Sequence, residues 1–340
     1  MAPLVSILIP AFNAEEFIGD TLRSALAQTW PRTEVIVIDD GSKDSTAAIA
    51  ESFASTKVKV VRQDNQGAAA ARNRAMTLAQ GDYLQWLDAD DLLSVDKITN
   101  QIALITECPE DVLASCGWAY FRYRPHRARF RPGPLWADLD PIEWMLRKWE
   151  TNSHMQTATW LVSRLLSERA GPWNTHLSSD DDGEYFARVV ACSARIRFAH
   201  DAKVYYRISP AASRLSYLGK SDKKLEAMLR GMNLQIALLR SIRDDQRTRR
   251  ACSSYLQTWI PEFECSPQMA ARINSLASSW GAQVTAPRFS WKYDWIRKLF
   301  GPSAARSAQL RYNDVKSSAM RSWDRCMYTA EGATIDVASL

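Results

Sequence analysis

Three short runs of aspartates carry most of the chemistry this sequence offers: Asp39-Asp40, then Asp88, Asp90 and Asp91, then Asp180-Asp181-Asp182. Carboxylates brought together raise each other's pKa and repel, so each run needs a physical reason. In "DYLQWLDADDLLS" (82–94) an apolar stretch leads straight into a D-x-D pair with a third acid beside it. That spacing suits a hard divalent cation, which takes oxygen ligands and is often held by one or two carboxylates plus substrate phosphates. A bound cation reverses the local electrostatics and makes clustered acids favourable. The plain alternative is that these acids cap a helix over "LLSVDKITNQIALI", stabilised by its N-terminal dipole; Asp91 suits that role best.

The surrounding pattern says what must position them. "VSILI", "EVIVIDD", "VKVVRQ" and "YLQWLD" are apolar, β-branched or aromatic runs, as strands covered on both faces should be. Between them, "NAEEFIGDTLRSALAQTW", "SKDSTAAIAESFAS" and "GAAAARNRAMTLAQ" read as helices, the first with Asn13 as N-cap. This βαβαβαβ order predicts an α/β fold, a mostly parallel sheet flanked by helices. Ligands of such sheets sit beyond the C-terminal strand ends. Those ends are Pro10-Ala11-Phe12-Asn13, Asp39-Asp40-Gly41-Ser42, Asn65-Gln66-Gly67 and Asp88-Ala89-Asp90-Asp91: a polar, acid-rich crevice.

Bulk properties set the frame. The 340 residues, 46% hydrophobic and 24% charged, have ordinary globular composition, enough for about two domains. Six scattered cysteines form no CxxC pair, so neither a zinc site nor a disulfide framework is indicated, and a reduced cytoplasmic setting is the default. "LVSILIP" lacks the basic flank of a signal peptide, and no window is apolar enough to span a membrane. Residues 1–215 carry 24 basic and 27 acidic residues and residues 216–340 carry 19 and 11, so the net charge of +5 lies entirely in the second part. An anionic partner or a solvated helical appendage both fit that asymmetry.

Past residue 115, "WAYFRYRPHRARFRPG" reads as a strand pair with an Arg-bearing face, "PIEWMLRKWE" and "DDGEYFARVVAC" as helices and "RFAHDAKVYYRI" as a strand. Helical patterns dominate from about Lys220. The division predicted is therefore 1–215, catalytic, and 216–340, mainly helical and basic.

Four segments, "IPAFNAEEFIGDTLRSALAQT", "VIVIDDGSKDST", "NQGAAAARNRAM" and "GDYLQWLDADD", in this order and spacing resemble the family-2 glycosyltransferases. The resemblance covers roughly residues 4–215. It implies the GT-A fold and inverting transfer of a sugar from a nucleotide diphosphate, UDP first, to a glycan, lipid-linked or other hydroxyl acceptor. Carried over by position, Pro10, Ala11, Phe12 and Asn13 line the nucleotide. Asp40 reads the base, with Asp39 shaping the loop. Asn65, Gly67 and Arg72 lie near the nucleotide and donor. Asp88 approaches the ribose or the metal, Ala89 beside it lies at the nucleotide sugar, and Asp90 holds Mn2+ or Mg2+ on the diphosphate.

Inversion by direct displacement also needs a base for the acceptor proton. "GPWNTHLSSDDDGEYFARVV" resembles the family segment that supplies it, usually a Glu-Asp pair. Asp182 is the first choice, then Asp181, then Asp180, since the third Asp shifts the register. Arg207 and Arg214, in "VYYRISPAASRLS", are candidates for the diphosphate. Trp160 and Trp173 are candidates for an acceptor sugar or for core packing. His154 and His200 read as structural.

In "APRFSWKYDWIRKLFGP", Trp291, Trp295 and Leu299 recur at helical spacing among Lys and Arg. That suits a helix on the anionic inner face of the cytoplasmic membrane, or one docked on the catalytic part. No nucleic-acid partner is indicated. The rival functions are a sugar-phosphate nucleotidyltransferase, whose Gly-rich basic loop after strand one is missing, and a silent sugar-nucleotide-binding scaffold, which would lack the acids seen here.

Overall fold

A computed structural model describes residues 2–209, 222–263, 266–281, 291–332 and 334–340. The predicted alternation is present: β1 (Val5–Ala11), α1 (Ile18–Leu26), β2 (Thr33–Asp39), α2 (Thr46–Glu51), β3 (Val58–Arg62), α3 (Ala68–Leu78) and β4 (Tyr83–Trp86). There follow β5 (Leu92–Leu93), α4 (Lys97–Ile105), β6 (Val112–Phe121), α5 (Pro141–Glu150), β7 (Val162–Ser163), α6 (Arg164–Ala170), α7 (Asp181–Cys192) and β8 (Arg195–Arg207). The sheet order is β3-β2-β1-β4-β7, parallel except for β7, and a smaller sheet pairs β5-β8-β6.

Alternation along the strands splits the core into two layers. Leu8, Ile36, Ile38, Leu84 and Trp86 face one side, with α3, α5 and α7 over them. Val5, Ile7, Ile9, Val35 and Val37 face the other, against α1 and α4. Each fully buried Leu, Ile or Val contributes about 1.5–3 kcal/mol through burial, so the central strands form a rigid platform whose C-terminal ends carry the polar loops.

After β8 come α8 (Asp222–Ile242), α9 (Gln246–Phe263), α10 (Pro267–Ser278), α11 (Trp291–Phe300) and α12 (Pro302–Ala330). α8 and α9 are no loose appendage: Leu225, Met228, Leu256 and Phe263 share one buried cluster with Trp144, Trp149, Trp160 and Phe186. The division at residue 215 falls outside the described residues and stands as a proposed division of the sequence only.

Three local readings are corrected. Asn13 is not the cap of α1, which begins at Ile18 after Phe17. It sits at φ 48°, which Asn tolerates, and its Oδ1 accepts from Lys43 N–H at 2.9 Å, closing the loop after β2. Asp91 caps no helix, because Leu92-Leu93 pair with β8 and α4 starts only at Lys97. Its buried Oδ1 instead accepts from Arg207 N–H at 2.8 Å. The Arg-rich stretch is not a strand pair: β6 ends at Phe121 and a short turn follows at Pro125–Arg127. Pro125 supplies no N–H to a ladder and disfavours continued pairing. Arg124 there binds Asp324 of α12 and Glu331 just beyond it, both at 2.8 Å.

Candidate active site

The loop after β2 is built around Asp40. Its carboxylate accepts from Gln63 Nε2 at 2.7 Å, Gln66 N–H at 2.9 Å and Gly67 N–H at 2.8 Å. Asn65 Nδ2 donates to the Asp40 carbonyl at 2.9 Å. Gly41, at φ 75°, lies so close that a Cβ there would stand 2.9 Å from Asn65 N, which only glycine avoids. Asp40 thus ties the ends of β2 and β3 together. Asp39, beside it, is buried with both oxygens lacking a hydrogen-bond partner, and Arg62 Nε stands 3.5 Å away. Phe12, half exposed, borders the same strand ends, and the Ala11 carbonyl accepts from Asp40 N–H.

At the end of β4 the acids meet Arg72, which α3 brings across from the third loop. Arg72 is 4% exposed, and its guanidinium lies 4.4 Å over the Trp173 ring and bonds Asp88 at 2.9 Å and Asp181 at 2.7 Å. Burial alone would lower its pKa, but Asp181, then Asp88 and Asp182, hold it above the ordinary arginine value. Asp90, partly buried, accepts from Ser209 Oγ, and its carboxyl is pushed up, chiefly by desolvation and then by Asp88. Asp91 is pushed up further, by burial and by both neighbours.

Arg207 is 2% exposed and fully occupied by the protein. It lies between the Phe17 and Phe121 rings and donates to the Asp90 and Arg122 carbonyls at 2.7 Å. Its place is to hold the D-x-D loop from beneath. Arg214 lies outside the described residues. Trp173 and Trp160 are each 1% exposed; Trp173 is the floor under Arg72, and Trp160 stacks on Phe186.

The three consecutive aspartates at the start of α7 go three ways. Asp181 joins Arg72 at the end of β4. Asp180, at φ 55°, turns into the helical region, where Gln235 Nε2 of α8 donates at 2.6 Å and Tyr255 OH of α9 at 3.1 Å. Gly183 makes room for it, since a Cβ there would lie 2.1 Å from Asp180 Oδ1. Asp182 lines a cavity of about 460 Å3 between α5, α7, α8 and α9. Among the described residues its hydrogen bond comes from the adjacent Gly183 N–H at 2.9 Å. Tyr206 joins the two sides: burial first, then Asp91, Asp88, Asp90 and Asp182, drive its hydroxyl far above the usual tyrosine range. His154 lines the same cavity, its imidazole pKa lowered mainly by burial.

Burial, reinforced by Asp182 against the pull of Lys148, Gln235 and Tyr255, lifts Asp180 to about 6 from an ordinary 3.8. The folded state therefore holds this proton more tightly than the unfolded chain. The associated stability is complete below about pH 4 and is lost as pH rises through about 6. Asp180→Asn removes the charge and keeps an acceptor for Gln235 and Tyr255. It should stabilise the protein by on the order of 2 kcal/mol at pH 8 and by little at pH 4. Urea midpoints at the two pH values check this; equal gains at both would rule out the buried charge as the cause.

The mostly parallel sheet with an acidic crevice at its C-terminal edge is a GT-A-like fold. TarS from S. aureus, residues 1–349, superposes with a TM-score of 0.58 at 20% identity over 89% of this chain and 80% of that one. The mannosyltransferase PcManGT from Pyrobaculum calidifontis, solved with GDP-Man and Mn2+, gives 0.52 at 19% identity over 95% and 88%. The family described as Glycosyl transferase family 2 matches residues 6–168. An uncharacterized glycosyltransferase of Rickettsia typhi is 29% identical over 226 residues, 65% of this chain and 69% of the relative. TuaG of Bacillus subtilis, a putative teichuronic acid biosynthesis glycosyltransferase, is 37% identical over 124 residues, 36% of this chain and 47% of TuaG. Residues 6–168, just under half of the chain, thus match Glycosyl transferase family 2, and these relatives carry glycosyltransferase names, which supports a transferase.

Sequence reasoning placed the acids but not their connections. Gln235, Tyr255 and Lys148 went unnoticed, because nothing local marks a residue that meets its partner 75 or 55 positions away.

Proposed function

We propose that this protein transfers a sugar from a nucleotide diphosphate donor, UDP-linked first, to an acceptor hydroxyl with inversion, in assembly of a surface polysaccharide or related glycan. The observation that carries this reading is the division of labour at α7. Arg72 joins Asp88 to Asp181, while Asp182 next door lines a separate cavity, so donor and acceptor sides meet at one turn of helix. TarS has been solved with UDP and with UDP-GlcNAc, and PcManGT with GDP-Man, which supports a nucleotide-sugar donor.

Asp39 is the better candidate than Asp40 for reading the base, because its buried oxygens accept no hydrogen bond, with only Arg62 near them, while Asp40's are spent on the loop. Phe12 is placed to cover the base. Asp182 takes the acceptor proton as the hydroxyl oxygen bonds the anomeric carbon. The bond from that carbon to the diphosphate breaks on the opposite side, which inverts the centre. Asp181, paired with Arg72, remains the second candidate for base.

A divalent cation fits the remaining acids. Burial and mutual repulsion push the Asp90 and Asp91 carboxyls up, against the pull of Ser209 and Arg207, and Asp88 stands beside them, an arrangement a cation would relieve. Among the described residues no three His, Cys, Asp or Glu side chains converge into a protein-only cage. Asp90 and Asp88 would therefore hold Mn2+ or Mg2+ together with donor phosphates. When bound, the ion neutralises the leaving diphosphate.

Thermal unfolding tests the donor reading. UDP with Mn2+ at a hundred times its Kd should add about 2.7 kcal/mol of stability, with a clear rise in Tm. The shift should shrink with EDTA or in Asp90→Asn. No shift with either UDP or GDP would sink it.

The exposed Trp295, Leu299 and Phe300 of α11, with Arg297 and Lys298 among them, support docking of this region to an anionic membrane, the inner face of the cytoplasmic membrane. Among the described residues no helix is long and apolar enough to cross a membrane. Co-sedimentation with phosphatidylglycerol vesicles, reduced by high salt, is the expected result; indifference to the vesicles would count against it.

A further inference from the structure

The cavity beside Asp182 is walled on one side by α5 and α7 and on the other by α8 and α9, which the four family motifs do not reach. Its volume of about 460 Å3 falls within the roughly 300–1,000 Å3 common to small-ligand sites. On α9 the wall is Tyr255, Thr258 and Trp259, spaced i, i+3 and i+4 and therefore on one helix face. Facing them on α5 are Trp144, Lys148 and Trp149, and Trp149 stacks on Tyr255 with ring centroids 4.8 Å apart at 4°. Tyr120, about half exposed, stands at the rim against Tyr206.

We propose that this cavity binds the acceptor, that α9 is its recognition wall, and that the acceptor end it takes is an uncharged saccharide. The proposal rests on the donor reading above and adds the substrate class on the other side. Three observations carry it. Aromatic rings present flat apolar faces with polar edges, which match the C–H face and hydroxyl rim of a sugar ring. Asp182 lies in the lining, so a hydroxyl of that ring can reach a carboxylate. The charge selects against anions: among the described lining residues Lys148 is the one lysine or arginine, set against Asp180 and Asp182, and its Nζ already donates to Gln235 Oε1 at 3.4 Å. Among the described residues, a uronate or sugar phosphate would meet no bidentate arginine fork there.

The same helices set the geometry of the base. Gln235 and Tyr255 hold Asp180, two residues before Asp182, so the wall that reads the acceptor also anchors the turn presenting the carboxylate.

Tryptophan fluorescence reads the cavity directly. With UDP and Mn2+ present, methyl β-glycosides of glucose, galactose and N-acetylglucosamine are titrated against methyl β-glucuronide. At least one neutral glycoside should quench saturably, and the glucuronide should bind at least tenfold more weakly. Trp259→Ala should weaken the neutral ligand tenfold or more. Thr258→Lys, which adds a cation without removing packed apolar bulk, should weaken it as well and narrow the gap to the glucuronide. UDP binding serves as the fold control for both variants. The proposal is overturned if the glucuronide binds as well as the neutral glycosides, if both variants bind them like wild type, or if UDP binds while no glycoside does. A protein that binds neither UDP nor glycosides overturns the donor reading together with this one.

Discussion

Asp182→Asn should lower sugar transfer by roughly a thousandfold, within the 10²–10⁴ range that general-base removal costs, while UDP binding and the melting temperature stay near wild type. The substitution is nearly isosteric. Asp182 Oδ1 accepts from Gly183 N–H at 2.9 Å, which an amide oxygen also does. Arg72 binds Asp181 and Asp88, so the donor-side ion pair is untouched. The amide cannot take the proton of the attacking hydroxyl, so the loss should appear in kcat and not in donor binding. Steady-state rates of UDP release with acceptor, alongside UDP titration, separate the two. Retention of full kcat would transfer the role of base to Asp181.

Arg72→Met should cost about 3 kcal/mol of stability, the lower end of what removing one member of a buried ion pair costs. The reason is what remains behind. Asp88 and Asp181 would face each other with no cation between them, at 30% and 13% side-chain exposure, partly reached by water. Asp181, already lifted to about 6 by burial against the pull of Arg72 and further by Asp182 and Asp88, would protonate more readily still. The Trp173 ring would lose the guanidinium stacked 4.4 Å above it. Urea unfolding of Arg72→Met and of Arg72→Met/Asp181→Asn checks the account. The double variant should recover part of the loss, because it removes one of the stranded charges. A single-variant loss below about 1 kcal/mol, typical of surface pairs, would show that the bridge is not held as described.

Much of the donor side could be read without coordinates, for a physical reason. Strands buried on both faces are written as unbroken apolar runs, and a parallel sheet leaves its functional residues in the short loops immediately after them. "VIVIDDGS" and "YLQWLDADD" therefore announce both a strand and what stands at its end. The register within a run was harder. Asp39 and Asp40 differ by one position, yet one side chain points into the buried layer beside Arg62 and the other ties down the next loop. Asp91 looked like a cap because "LLSVDK" scans as the start of a helix; pairing of Leu92-Leu93 with Val204-Tyr205, more than a hundred residues on, overrode that local signal.

What the sequence by itself determined was the alternation of elements, the edge of the sheet that carries chemistry, and the acids available there. Those follow from local periodicity, which is a property of neighbours in the chain. Only the tertiary structure decided which way Asp180, Asp181 and Asp182 turn. That choice depends on Arg72 from α3, Gln235 from α8 and Tyr255 from α9 arriving at one turn of helix. No local pattern encodes such a meeting, because it is set by how the helical region packs on the sheet.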